Sequence, residues 1–305
     1  MRIIELFGGI GACTHALKRL GVSVEVVDYV EIDKFAVKSY NAINGTDFAP
    51  QDITKWVKNL SDIDLIMHGS PCQDFSVAGA QKGGDDGSGT RSSLLYESLR
   101  VIEKIRPRFV IWENVKNVLN AKHRPNFDKY LARMESLGYN NFYQVLNAKD
   151  YGIPQNRERV FVVSILDGGG YSFPPKIPLE ITFRDLLEPA PAQKYFNIGG
   201  TRKHESAPIN RPISGDYAPT LCATMGEGGN NVPIFCDKYE LSEERYRKLT
   251  PKECWRLMGF SDEAFERARV VNSDTQLYKQ AGNSIVVNVL TAILKNLIGG
   301  EVSWN

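Results

Sequence analysis

The stretch Ile3-Ile4-Glu5-Leu6-Phe7-Gly8-Gly9-Ile10-Gly11 decides the fold. Its apolar run reads as a buried strand that stops at a glycine turn, and Ala12 to Leu20 then has helical spacing and ends at Gly21. The unit repeats. Val22 to Val30 is a β-branched strand ending at Glu31, and Phe35 to Asn44 is a helix terminated near Gly45. A third short strand leads to Asp52-Ile53, and a fourth spans Asp64 to His68. A fifth, Phe109 to Trp112, runs into Glu113-Asn114 after a helix from Ser92 to Ile105. This alternation predicts an α/β fold, a Rossmann-like, doubly wound and mostly parallel sheet. Phe142 to Asn147 and Arg159 to Ile165 are separated only by the turn Tyr151 to Pro154, too short for a crossover helix. They should pair as an antiparallel edge.

At Asp167-Gly168-Gly169-Gly170 the texture changes, and up to Asn231 the chain is rich in Gly, Pro, Ser and Asn. Three parts follow: residues 1–167 as a ligand-binding domain, 168–245 as a small loop-rich domain, and 246–305 as a segment rejoining the first. Helical texture returns at Glu240 to Arg247 and Pro251 to Met258, and Ser284 to Leu297 is apolar enough to pack on the sheet.

With 305 residues and 42% apolar composition there is ample chain for a large core. Lys and Arg number 37 against 36 Asp and Glu, so any phosphate-binding surface must come from local segregation of charge. Five cysteines without a C-x-x-C pair argue against a disulfide framework and a zinc site, and the four histidines lack the i, i+4 spacing of shared metal ligands. No metal is expected. There is no leader pattern at the first residues, and no apolar run approaches membrane-spanning length, which points to a cytoplasmic protein.

The ends of the expected strands carry Phe7 with its glycines, Glu31, Asp52, Pro71-Cys72 and Glu113-Asn114, and in a doubly wound sheet those ends form one rim. Glycines after the first strand admit a ligand to the backbone, and a carboxylate after the second can accept ribose hydroxyls. A nucleoside cofactor is implied. A dinucleotide fits poorly, because Thr14 stands where the third glycine should be. Singly, Glu31 and Asp52 would pass as solvated loop residues and Cys72 as a buried thiol. Together they read as a site. No histidine is placed as a base for Cys72, so its partner should be an electrophile activated by the acid Glu113. Cytosine has that character, since its C6 accepts a nucleophile when N3 is protonated or hydrogen-bonded.

Eight segments in order then resemble the DNA (cytosine-5)-methyltransferases of bacterial and phage type. They are Leu6-Phe7-Gly8-Gly9-Ile10-Gly11; Glu31-Ile32-Asp33; Asp52-Ile53; Gly69-Ser70-Pro71-Cys72-Gln73-Asp74-Phe75-Ser76; Glu113-Asn114-Val115; Gln155-Asn156-Arg157-Glu158-Arg159; Leu249-Thr250-Pro251-Lys252-Glu253-Cys254 with Arg256 to Phe260; and Gln280-Ala281-Gly282-Asn283-Ser284. The resemblance implies S-adenosyl-L-methionine as cofactor, double-stranded DNA as substrate, a monomer, and a cognate restriction endonuclease acting on the same site. It implies attack of Cys72 on C6, Glu113 on N3 and the exocyclic amine, and Arg159 on O2, with Arg157 beside it. Gln155, Arg157 and Arg159 alternate with period two, which on a strand puts all three on one face. Phe7 would pack on the adenine, Glu31 would take the ribose, Asp52 the adenine amine, and Asn283 and Ser284 the methionine end. Gly8, Gly9, Ile10, Gly11, Ile32, Ile53, Ser70 and Pro71 would complete the cofactor site.

A base inside a duplex cannot reach Cys72, so it must be flipped out. The glycine-dense stretch Gln73 to Arg91 then reads as a closing flap, with Ser76 and Arg91 as DNA contacts. Residues 168–245 become the target-recognition domain, with Arg202, Lys203 and Arg211 toward phosphates or bases and Thr220-Leu221 before its loops. A tRNA-directed relative would carry Cys-Phe-Thr, which is absent. A silent DNA-binding relative would lack Cys72 or Glu113.

Overall fold

A computed structural model describes residues 1–71, 94–196, 213, 215–227, 231–237 and 245–299. In chain order the elements are β1 (Arg2–Leu6), α1 (Ala12–Arg19), β2 (Glu25–Val30), α2 (Lys34–Asn44), β3 (Leu65–His68), α3 (Leu94–Ile105), β4 (Phe109–Val115), α4 (Arg124–Ser136), β5 (Tyr139–Asn147), β6 (Gln155–Asn156) and β7 (Glu158–Leu166). After these come β8 (Ala218–Pro219), β9 (Ile234–Asp237), β10 (Arg245–Lys248), α5 (Pro251–Arg256), α6 (Asp262–Arg269), α7 (Asp274–Asn283) and α8 (Val287–Gly299).

Six strands form one sheet in the order β2-β1-β3-β4-β7-β5. The first four run parallel, and β7 runs antiparallel to both of its neighbours. The reversed strand is therefore one in from the edge, and β5 is the edge itself. Side-chain alternation explains the layering. Ile3, Leu65, Met67 and Ile111 join one apolar cluster with Leu17 of α1 and Ile293 of α8, whereas Ile4, Ile66, Val110 and Trp112 join the other with Leu99 of α3 and Phe127 and Tyr130 of α4. Each such buried side chain contributes roughly 1.5–3 kcal/mol relative to exposure. Strands apolar on both faces can only be central, as the near-continuous runs at 3–7 and 109–112 demand.

Three expectations about elements fail. No strand precedes Asp52; instead Asp52 caps a short 3₁₀ turn, Ile53–Lys55. That segment is tethered to β2 by side chains, with the Gln51 amide donating to Asp28 Oδ1 (2.9 Å) and Tyr29 O (2.7 Å) and Trp56 Nε1 donating to Asp28 Oδ2 (2.7 Å). Gln155, Arg157 and Arg159 do not share a strand. Gln155 belongs to β6, which pairs with β8, while Arg159 lies in β7 of the main sheet. Arg245 to Arg247, read as helical, form β10 paired with β9, and residues 240–244 lie outside the described residues.

Helices α4, α6 and α7 fall where no helix was anticipated. The stretch Asp274–Gly299 is, by length and a mean hydropathy of 1.4, apolar enough to span a membrane, contrary to the reading of the sequence. It comprises α7 and α8 parted at residues 284–286, and 56% of its most apolar window is buried in the protein. The described residues 213–235 bury Ile213, Ala218, Leu221, Met225, Val232 and Phe235 in the same cluster as α5 to α8.

Candidate active site

The turn after β1 is built for close approach. Phe7 has φ 53°, a left-handed conformation uncommon for a non-glycine residue, followed by Gly9 at φ 54° and Gly11 at φ 83°. Beneath the turn, the rings of Tyr29 and Tyr40 stack with centroids 3.8 Å apart, and the Tyr29 hydroxyl donates to Gly9 O at 2.6 Å. A Cβ on Gly8 would sit 2.6 Å from the Tyr29 ring, and one on Gly11 would sit 2.7 Å from the Tyr40 ring. Glycine is required at both positions, so the turn lies flat on the two rings.

Above it opens a pocket that is partly exposed to solvent. Phe7, Gly8, Gly9 and Ile10 of the turn, Met67 and Gly69 from the end of β3, and Asn283, Ser284 and Ile285 after α7 line it. Gly11, Glu31, Ile32, Asp52, Ile53, Ser70 and Pro71 do not line it. Glu31 adjoins it, because its Oε2 accepts from Gly9 N at 3.1 Å while Oε1 accepts from Asp33 N at 2.8 Å. Burial raises the Glu31 pKa against the pull of those two N–H groups. Ile32 is 69% exposed and Ile53 buried. The Asp52 carboxylate accepts from the Thr54 hydroxyl at 2.8 Å, and that bond holds it below the usual range.

Sequence reasoning gave no role to Glu5, yet it is buried and lines the pocket. It accepts from the hydroxyls of Thr14 and Tyr40, and burial pushes its pKa up to about 7 despite both bonds. A lone acidic residue inside an otherwise apolar strand was the available signal.

At the end of β3, Trp112 Nε1 donates to Ser70 Oγ and Asn114 Nδ2 to Ser70 O, both at 3.2 Å, so β4 fixes the segment that leads to Pro71. Between those two donors, Glu113 points to the opposite face, the face of the pocket. Its Oε1 meets Arg159 Nε at 3.1 Å, and its Oε2 lies 3.7 Å from where a Gly69 Cβ would be; that same point is 3.6 Å from Ile285. Glu113 does not itself line the pocket, and the space beside Gly69 lies between its carboxyl and Ile285. Burial raises the Glu113 pKa, and Arg159 and then Arg157 oppose the rise. The carboxyl is placed to hold or donate a proton at an apolar, half-closed site.

Arg157 is 4% exposed and donates to Leu221 O (2.8 Å), Gly282 O (3.2 Å) and Ser284 O (2.8 Å). Gln155 accepts from Leu221 N at 3.0 Å and donates to Leu257 O at 2.8 Å. Thr220 donates to Asn156 O at 2.6 Å, and Leu221 is buried. Cys72, Ser76, Arg91, Arg202, Lys203, Arg211 and the whole flap segment 73–91 lie outside the described residues. Among the described residues no three His, Cys, Asp or Glu side chains gather to hold a metal ion.

Residues 1–299 match the family model described as C-5 cytosine-specific DNA methylase. The chain is 42% identical to the type II methyltransferase M2.ScrFI of Lactococcus lactis subsp. cremoris, over 99% of this chain and 100% of that one. It is 34% identical to the type II methyltransferase M.Bsp6I of Bacillus sp. (strain RFL6), over 97% and 98%. Among solved structures, the S. pombe Dnmt2 methyltransferase superposes with a TM-score of 0.77 at 20% identity, covering 98% of this chain and 99% of that one. This last likeness speaks for the fold alone.

Proposed function

Because the chain belongs to the C-5 cytosine-specific DNA methylase family, we propose that it methylates C5 of a flipped-out cytosine in duplex DNA through a covalent bond from Cys72 to C6. The observation that carries this reading is Glu113, paired with Arg159 and facing the glycine-lined pocket across Gly69. That segment continues in sequence through Pro71 into Cys72. Addition of the Cys72 thiolate to C6 needs N3 held by a proton or a strong donor, and a carboxyl whose pKa burial has raised supplies it. Arg159 orients that carboxyl and offers its own donors to O2. Methylation of C5 is followed by loss of the C5 proton and expulsion of Cys72.

The pocket residues fit S-adenosylmethionine, which when bound supplies an electrophilic methyl group on a sulfonium. The flat turn admits it, Phe7 packs on its adenine, Ile32 borders it, and Asn283 and Ser284 hold the methionine end. Each Glu31 oxygen accepts one backbone N–H and keeps a lone pair for a ribose hydroxyl. Asp52 and Ile53 border the adenine. Ser76 and Arg91 in the segment 73–91, with Arg202, Lys203, Arg211 and Thr220 in the recognition domain 168–245, contact the DNA; Leu221, expected beside Thr220, is instead buried and bonded to Gln155 and Arg157, and 246–305 completes the catalytic domain 1–167. The enzyme acts as a monomer in the cytoplasm, beside an endonuclease reading the same site; the type II names of its relatives support the endonuclease.

The test is transfer of labelled methyl from S-adenosylmethionine to duplex DNA, with tRNA in parallel and base-resolution mapping of the product. Duplexes containing 5-fluorocytosine should trap the wild type covalently and leave Cys72→Ser untrapped. Methylation of tRNA alone, or an active Cys72→Ser, overturns the reading.

A further inference from the structure

Residues 46–52 and 56–64 carry neither helix nor strand, so side chains must place Asp52. Gln51 makes three hydrogen bonds to the end of β2. Its N–H donates to Glu31 O at 2.8 Å, and its amide nitrogen donates to Tyr29 O at 2.7 Å and to Asp28 Oδ1 at 2.9 Å. That amide has two protons, and both are used. The buried Asp28 carboxylate also accepts from Trp56 Nε1 and Lys58 Nζ, each at 2.7 Å, so the far end of the segment returns to the same point. From α3, Arg100 donates to Ile53 O at 2.9 Å and to Trp56 O at 2.7 Å.

The Asp52 carboxylate is itself set in orientation. Its Oδ1 accepts from Thr54 N at 3.0 Å and from the Thr54 hydroxyl at 2.8 Å. Among the described residues, Oδ2 accepts no hydrogen bond. One oxygen is held and the other is left for a donor from outside. Because Gln51 bonds to the backbone of Glu31 and is joined covalently to Asp52, a single residue fixes the spacing between the two carboxylates.

We infer that Gln51 is a positioning residue, which holds Asp52 at a set distance from Glu31 and thereby makes the enzyme choose a 6-amino over a 6-oxo purine in its cofactor. This rests on the reading of Glu31 at the ribose and Asp52 at the adenine amine given above, to which it adds a second residue and a selectivity. A 6-amino group donates to Oδ2. A 6-oxo group turns a lone pair toward the same anionic oxygen and is repelled. With the spacing fixed, the carboxylate cannot retreat from the wrong base; with Gln51 cut away, it can.

The probes are S-adenosylhomocysteine and S-inosylhomocysteine, titrated calorimetrically into wild type, Gln51→Met, Gln51→Glu and Asp52→Asn. Methionine keeps the length and loses both donors, while Asp28 retains Trp56, Lys58 and the Tyr29 N–H, so no buried charge is stranded. Gln51→Glu sets a carboxylate against Asp28 and decides if the first variant does not fold. Wild type should prefer the adenosyl ligand by about tenfold or more, the worth of one hydrogen bond to a charged group. Asp52→Asn, whose amide offers either a donor or an acceptor, should prefer it by less than about threefold. Both Gln51 variants should also fall below about threefold, by loss of adenosyl affinity alone, with kcat at saturating S-adenosylmethionine within about twofold of wild type. A merely structural role would weaken both ligands equally and leave the ratio unmoved. Gln51 variants that keep the wild-type ratio while Asp52→Asn loses it overturn the positioning role and leave Asp52 at the adenine. A wild type without preference, or an Asp52→Asn that keeps it, overturns the reading of Asp52 and the inference with it.

Discussion

Two glutamate–arginine pairs in this protein look alike on paper and differ in what surrounds them. In Glu253–Arg247 the side chains are 0% and 1% exposed. Arg247 binds both carboxylate oxygens (2.8 and 2.9 Å), and the backbone N–H groups of Glu188 and Thr250 take the remaining lone pairs at 2.8 Å each. In Glu113–Arg159 the side chains are 11% and 17% exposed, and the pair meets through one contact at 3.1 Å. The first carboxylate has no lone pair left for anything else. The second keeps capacity for a partner arriving from the pocket side. Completeness of satisfaction separates a carboxylate that fastens β10 to α5 from one that can work on a substrate.

The sharpest break between the two is functional. Glu113→Gln should lower kcat by about 10² to 10⁴-fold, since it replaces an acid that can transfer its proton by an amide that cannot, while keeping the shape, with the melting temperature almost unmoved. A loss of activity explained by unfolding would erase the distinction. Glu253→Ala should do the reverse: it strands a buried guanidinium and should cost about 3–5 kcal/mol in denaturant unfolding, with activity per folded molecule retained. If its stability is unchanged, the buried pair is not a fastening.

Glu5 sharpens the comparison, because two hydroxyls and no cation hold it. In the fold it keeps its proton up to about pH 7, against 4.5 for an ordinary glutamate. Between those values the folded state binds more protons than the unfolded, so stability falls as pH rises and the full loss stands above pH 7. Glu5→Gln, which never ionises, should match wild type near pH 4.5 and exceed it by roughly 3 kcal/mol at pH 8. Urea titrations at both pH values check this, and a constant offset would count against it. The smallest effect belongs to Lys279–Asp33, a pair 2.7 Å apart whose side chains are 42% and 27% exposed. Lys279→Met should shift unfolding by less than about 1 kcal/mol, because solvent screens it.

Where function could be read from sequence, the cause was local. The strand, glycine turn and helix at 2–19 announce themselves within a few residues, and so does Glu113 at the end of an apolar run. Other features depend on distant partners. Gln155 and Arg159 have the spacing of one strand, yet two residues of β6 pair with Ala218-Pro219, whose positions nothing near 155 reveals. Arg247 looks helical until Glu253 and the ring of Phe235, 4.5 Å from its guanidinium, make burying it favourable. The missing strand before Asp52 has the same origin. Asp28 collects Gln51, Trp56 and Lys58, and those side-chain bonds replace a ladder. Arg157 has the spacing of a pocket residue beside Arg159, yet its guanidinium goes to three carbonyls from two segments far along the chain.

The packing of residues 213–235 against α5 to α8 includes a bare contact of Gly226 with Thr275 and of Gly282 with Cys222, where an added Cβ would fall 2.5 Å from Thr275 O and 2.1 Å from Cys222 C. It sets a rule for anyone exchanging specificity between relatives. A transplant of the proposed recognition domain would have to enter the host with no side chain at 226 and with its own backbone at 222 flat against α7. Junctions placed beyond Glu227 leave that seam native to the host. Junctions placed before Ala218 import a foreign seam and with it a misfitted helix, so the useful cut lies after Glu227.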